Sequence, residues 1–250
     1  MRARREAKRP RPPAPADDWA LFLDVDGCLL DLAEAPDAVR VAPRLRTVLP
    51  ALAQRLGGAL ALVSGRPLDG LDALFAPLRF SGAGLHGLER RNGAARSPAP
   101  PKPAALDAVR GEAEGLAAGF PGALVEDKGV ALGLHWRGAP EAMEALRRFA
   151  EAALPRLPGY RLQHGRQVVE LRPADGDKGS AIEALLEEPP FRGRRPVFAG
   201  DDVTDESGFA VVNARAGLSV LVGDREPSAA HYGLRSPGAV RRWLAGGVAA

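Results

Sequence analysis

Residues 19–31 read WALFLDVDGCLLD, and this stretch decides the fold. The apolar run WALFL reads as a buried strand. It ends at two acids one residue apart, Asp24 and Asp26, and at Gly27, which permits a sharp exit from the strand. Acids placed directly after a buried strand repel each other and are costly to desolvate. Their placement therefore asks for a chemical reason.

Outward from this stretch the same pattern recurs. GALALVSGRP (58–67), LRFSGAGLHG (78–87), PVFAGDD (196–202) and LSVLVGD (218–224) are each an apolar run followed by a glycine turn or an acid. Between the runs lie helical stretches such as VAPRLRTVLPALAQRL (41–56), limited by Pro43 and Pro50. Strands alternating with helices predict an α/β fold: a doubly wound, mainly parallel, Rossmann-like sheet with helices on both faces. Ligands of such sheets bind outside the carboxyl ends of the strands. Several strands deliver polar residues to that edge: Asp24, Asp26, Ser64, Asp201 and Asp202.

The middle of the chain differs. RNGAARSPAPPKP (91–103) is a proline-rich break. A helix is expected over 104–118, a strand pair over 123–137, a helix over 141–157 and two short strands over 160–173. That order predicts a compact α+β module inserted in the sheet domain. The expected division is a disordered tail over 1–18, a core of 19–93 and 175–250, and an inserted cap over 94–174.

Composition sets the outer bounds. The chain has 250 residues, 46% hydrophobic and 26% charged, as a soluble globular protein has. No apolar run reaches the length of a membrane span, and a single cysteine, Cys28, makes no internal disulfide. Six of the first eleven residues are Arg or Lys, and prolines follow. No apolar stretch follows them as in a signal peptide, so a cytoplasmic location is expected. The whole chain carries a formal +3, so beyond this tail the net charge is negative. The basic character sits in the tail, which is expected to be solvated; no nucleic-acid or membrane partner is expected, and a monomer is.

The acids suit hydrolysis of a phosphate monoester. A carboxylate is ionised at neutral pH and attacks phosphorus without a base to activate it. Mg²⁺, a hard cation that favours carboxylates and phosphate oxygens, offsets the repulsion. A second acid protonates the leaving oxygen, and fixed donors with a lysine hold the phosphoryl charge. Asp24 and Asp26, two apart in an extended chain, share a direction. GDDVTDE (200–206) adds carboxylates at another strand end, LVSGRP (62–67) adds Ser64, and DGDKGSAIEALL (175–186) puts Lys178 at a helix start. Asp205 and Glu206, last in the acidic segment, read equally well as caps of the following helix.

DVDGCL, SGR, the helix-starting DKG and GDDVTDE stand in the order of the four motifs of the haloacid dehalogenase-like phosphatases, which the chain resembles. It is closer still to the trehalose-6-phosphate phosphatase family. GLHGLERR (84–91), EDKGVALGLHWR (126–137) and GRQVVELRP (165–173) are similar to further segments of that family, and the resemblance spans roughly residues 19 to 224. It implies that Asp24 attacks phosphorus to form an aspartyl-phosphate and that Asp26 is the general acid and base. It implies Mg²⁺ held by Asp24, the Asp26 carbonyl and Asp201, with Asp202 nearby. Ser64 and Lys178 would hold the phosphate. Arg66, His86, Glu126, Lys128, His135, Arg166 and Glu170 would bind the sugar phosphate substrate, the last five from a cap that closes over the site.

One position departs from the family pattern: threonine usually follows DxDG there, and Cys28 stands here, a weaker hydrogen-bond partner that opens a route to oxidation. The expected activity is hydrolysis of trehalose 6-phosphate, the final step of trehalose synthesis. The rivals are a phosphatase of another sugar phosphate, such as sucrose 6-phosphate or glucosyl-glycerol phosphate, a non-catalytic regulator on the same fold, and a nucleic-acid-binding role through the basic tail.

Overall fold

A computed structural model describes residues 9–33, 38–165 and 167–248. The contacts divide the chain into two units: one runs through Ser97 and resumes at Asp177, the other is Pro98–Gly176.

The first unit begins with β1 (Trp19–Leu23), α1 (Leu45–Arg55), β2 (Leu60–Val63), α2 (Leu68–Phe75), β3 (Ser81–Gly84), β4 (Glu89–Asn92) and β5 (Ala95–Ser97). The second unit holds α3 (Ala105–Ala117), β6 (Leu124–Asp127), β7 (Leu132–His135), α4 (Met143–Ala153), β8 (Tyr160–Gly165) and β9 (Val168–Pro173). The chain then returns to the first unit with α5 (Lys178–Leu186), β10 (Arg195–Gly200), α6 (Glu206–Ala214), β11 (Leu218–Val222), β12 (Tyr232–Leu234) and α7 (Pro237–Gly246).

The first unit is built on an eight-stranded sheet of order β12-β11-β10-β1-β2-β3-β4-β5. The six strands from β12 to β3 are parallel. Every residue of β1, β2 and β11 is buried, as strands covered on both faces must be. From β1 the chain steps one way through β2 to β3. On its return it enters beside β1 at β10 and steps the other way through β11 to β12. Right-handed connections therefore put α1 and α2 on one face and α5 and α6 on the other. The order of connection reverses at β1, and a crevice opens outside the carboxyl end of the strand at such a switch point. Asp24 is the first residue beyond that end.

The segment 91–103, expected as a plain break, begins instead as an antiparallel hairpin. β4 pairs with β3 and β5 with β4. Asn92-Gly93 is the turn signal for it, and Gly93 takes a φ of +58° that glycine tolerates. The second unit is a four-stranded antiparallel sheet of order β6-β7-β9-β8. Leu132, Leu134, Trp136, Val169 and Leu171 are buried among α3 and α4 residues such as Val109 and Leu146.

The tail departs from expectation. Residues 9–18 are not a solvated tail but an extended strap along the first unit. Gly233 of the edge strand β12 donates its amide to the Pro10 carbonyl at 2.9 Å. The Trp243 indole of α7 donates to the Pro13 carbonyl at 2.6 Å. Pro12 and Pro15 are buried. Proline cannot join a helix, but its fixed φ suits an extended segment laid on a surface. No helix among the described residues is long and apolar enough to cross a membrane.

Candidate active site

The turn after β1 is tight. Leu29 and Leu30 donate their amides to the Val25 carbonyl, and Gly27 donates to Leu30. Gly27 has a φ of +85°, and a Cβ there would lie 2.2 Å from Asp201 Oδ2. Only glycine lets the two strand ends come this close.

Asp24 is 4% exposed and accepts from Lys178 Nζ at 2.6 Å. Lys178, 3% exposed, also donates to Asp205 Oδ1 at 2.7 Å. It opens α5, where Asp177 Oδ1 accepts from the Ser180 amide and the Ser180 hydroxyl accepts from the Asp177 amide, a reciprocal cap that fixes the lysine's start point. Asp24, Asp201 and Asp205 offer carboxylate oxygens within 4.8 Å of one another. Asp205 spends its other oxygen on the amides of Asp201 and Asp202, at 2.8 and 2.9 Å. With both oxygens committed, it orients Lys178 and the acidic loop, and Asp24 and Asp201 are the better metal ligands.

Asp205 is thus the acid that sequence reasoning set aside as a cap, and Asp202 is the one that caps. Asp202 Oδ1 accepts from the Val203 amide at 2.7 Å, and its carboxylate is outside the Asp24–Asp201–Asp205 group. The Asp26 carboxylate is outside it too. Arg66 donates Nε and Nη2 to its two oxygens at 2.7 and 2.8 Å. Asp24 and Asp26 therefore each face a cation of their own, where their spacing had suggested one shared direction.

Ser64 follows β2, is buried, and accepts from the Arg66 amide at 3.1 Å. His86 donates its amide to the Ser64 carbonyl at 2.9 Å, and a Cβ on Gly65 would fall 2.6 Å from the His86 ring. Ser64, Arg66, His86 and Asp26 are accordingly one neighbourhood. Glu89 of the GLHGLERR segment supports it from behind, accepting from the first amide of α2, Leu68, at 2.5 Å.

Burial dominates the electrostatics. It pushes the Asp201 carboxyl up to about 7, with Asp205 adding to the shift. It raises Asp24 well above the usual carboxylate range, Lys178 opposing and Asp205 and Asp201 adding. Burial alone would lower Lys178, but Asp205 and Asp24 outweigh it and keep the ammonium protonated above the ordinary lysine value. Three carboxylates around one ammonium leave excess negative charge, and Asp201 Oδ1 is buried without a hydrogen-bond partner. A hard divalent cation such as Mg²⁺ fits this all-oxygen set. Cys28 is buried, and burial followed by the charge of Asp24 raises its thiol, which disfavours the thiolate that oxidation needs.

In the second unit, Glu126, Gly133 and Glu170 are neighbours across β6, β7 and β9. Lys128 is ion-paired to Glu170 and lies 3.7 Å from Glu126. His135 Nε2 is 2.9 Å from Glu126 Oε2. Burial raises the Glu126 carboxyl, but His135 and Lys128 outweigh it and hold it below the usual range. Gly133, which sequence reasoning passed over, makes the space: a Cβ there would lie 2.9 Å from His135 Nε2 and 3.3 Å from Glu126 Oε2. Arg166 lies outside the described residues.

Comparison with known proteins bears on both units. The trehalose-phosphatase family model matches residues 22–237. A Sinorhizobium fredii protein named probable trehalose-phosphate phosphatase is 49% identical over 218 residues, covering 87% of this chain and 82% of its own. The Escherichia coli trehalose-6-phosphate phosphatase is 45% identical over 207 residues, covering 82% and 77%. Among solved structures, the C-terminal domain of the C. albicans trehalose-6-phosphate phosphatase superposes with a TM-score of 0.79, covering 97% of this chain and 99% of its own. At 20% identity that likeness speaks for the fold. The buried acids at the β1 switch point thus sit in a chain whose relatives are similar from the first motif to α7, and the chain belongs to the trehalose-phosphatase family.

Proposed function

We propose that the chain hydrolyses trehalose 6-phosphate to trehalose and phosphate, the last step of trehalose synthesis, with Mg²⁺ as cofactor. The observation that carries the reading is Asp24, buried at the switch point beside Lys178 and Asp201, in a chain of this family. Asp24, Asp201 and the Asp26 carbonyl would hold Mg²⁺, which supplies charge compensation between nucleophile and phosphate.

A carboxylate oxygen of Asp24 attacks phosphorus, forming a P–O bond as the bond to the sugar oxygen breaks. Asp26 gives its proton to that leaving oxygen. It then takes one from the water that attacks the aspartyl-phosphate, which frees phosphate and restores Asp24. Ser64 and Lys178 hold the phosphoryl oxygens. Arg66 keeps Asp26 in place, and the charged row Glu126, Lys128, His135 and Glu170 offers donors and acceptors to sugar hydroxyls.

The test is phosphate release with Mg²⁺ from trehalose 6-phosphate, glucose 6-phosphate and sucrose 6-phosphate, with Asp24→Asn beside the wild type. Release from the first alone is expected, falling at least about a thousandfold in the variant. Release from the others but not from trehalose 6-phosphate would keep the chemistry and overturn the substrate. Folded protein that releases phosphate from none would point to a non-catalytic binder.

A further inference from the structure

The acidic loop is gripped from a second side by residues far from it in the sequence. Asp205 holds it through the amides of Asp201 and Asp202. Arg225, just beyond β11, holds it through carbonyls: Nε donates to Asp201 O at 3.4 Å and Nη2 to Asp202 O at 3.2 Å. The peptide that joins Asp201 to Asp202 is therefore held at both its N–H and its C=O. We propose that Arg225 is a positioning residue for the metal-binding carboxylate of Asp201, and that Arg9 of the N-terminal strap is its outer support.

Arg225 is itself fixed. It is ion-paired to Glu206, and its Nη1 donates to Pro227 O at 2.6 Å. The other Glu206 oxygen accepts from the Ala229 amide at 2.8 Å. The last acid of GDDVTDE thus ties the loop between β11 and β12 to the acidic loop. Arg9 grips that same connecting loop from outside. It forks onto Glu226 at 2.9 and 3.1 Å, and donates to Ser228 O at 3.0 Å and to Ala230 O at 2.7 Å. Two sets of hydrogen bonds, joined through the backbone of residues 225–230, lead from the strap to the backbone of Asp201. Loss of a group that orients a metal ligand typically costs about 10–100-fold in metal affinity. A clamp that only stabilised the fold would not show itself there.

The inference rests on the reading that Asp201 holds Mg²⁺, so the test reads the metal directly. Full-length protein stripped with EDTA is titrated with MgCl₂ by calorimetry, and its metal-free melting is recorded beside it. Arg225→Ala is expected to weaken Mg²⁺ binding about tenfold while the metal-free melting temperature stays near that of the wild type. Arg225→Lys keeps the charge but loses the fork, and falls between. Arg9→Ala shifts the affinity in the same direction by less, and adds nothing to Arg225→Ala. Unchanged affinity in Arg225→Ala, whether or not its melting falls, overturns the proposal. If Arg225→Ala does not fold, unchanged affinity in both Arg225→Lys and Arg9→Ala overturns it. Wild-type protein that binds no Mg²⁺ overturns the metal reading, and the proposal with it.

Discussion

Burial, with Asp205 adding, lifts the Asp201 carboxyl to about 7, and burial raises Asp24 above the usual carboxylate range. An unfolded aspartate titrates near 3.9. Between about pH 4 and about pH 7 the fold therefore binds more protons at Asp201 than the unfolded chain does, and Asp24 shifts in the same direction. The sign follows: the metal-free fold loses stability as pH rises through that window. Mg²⁺ competes with those protons, so its stabilisation grows with pH. The rise in melting temperature on adding saturating Mg²⁺ should be small near about pH 5.5 and largest near about pH 8. A rise independent of pH would place the ion elsewhere. The placement of Asp24, Ser64 and Lys178 at strand and helix ends was legible in the sequence. The choice between Asp202 and Asp205 was not, since one acid is as good a ligand as another in sequence. Geometry decides it. Asp202 has an extended backbone and folds its side chain onto Val203, while Asp205 returns under Gly200, where any Cβ would meet its carboxyl carbon at 2.3 Å.

At the scale of elements, α1 and the parallel strands β1, β2, β3, β10 and β11 followed from apolar runs, whereas α2, α7, β12 and the hairpin of β4 and β5 did not. The third strand continues through two short antiparallel ones whose residues are polar and partly exposed, so no apolar run announces them. What holds them is charge pairing onto α2. Arg91 of β4 forks onto Asp72 at 2.7 and 2.6 Å, and Glu89 joins the Leu68 amide to Arg96 of β5. The GLHGLERR segment thus carries a support function that its resemblance to a substrate-binding motif hid. Glu89→Ala would leave the first amide of α2 and the Arg96 guanidinium without their buried partner. It should cost about 3 kcal/mol in urea unfolding, and it should loosen the Ser64–Arg66 turn that α2 follows. A midpoint shift within error of wild type would show that α2 keeps its place without that carboxylate.

At the scale of the whole chain, the N-terminal strap links regions that sequence order separates widely. Composition spoke against it: a basic, proline-rich run has too little apolar surface to form a core of its own. That argument fails because the strap does not need one. It borrows the finished surface of β12 and α7, filling the slot beside Gly247, where Pro15 lies. Asp17 anchors its far end through Arg55 at 2.5 Å. The strap also occupies the free edge of β12, where an open row of amides and carbonyls invites pairing with another chain. Removing residues 1–18 should therefore do two things at once. The melting temperature should fall by about 5 °C or more, from the lost proline burial and the Trp243 and Arg9 hydrogen bonds. The truncated protein should also self-associate in a concentration-dependent way by analytical ultracentrifugation, because the β12 edge is bared. A truncated protein that melts and sediments like the full chain would return these residues to the role of a solvated tail.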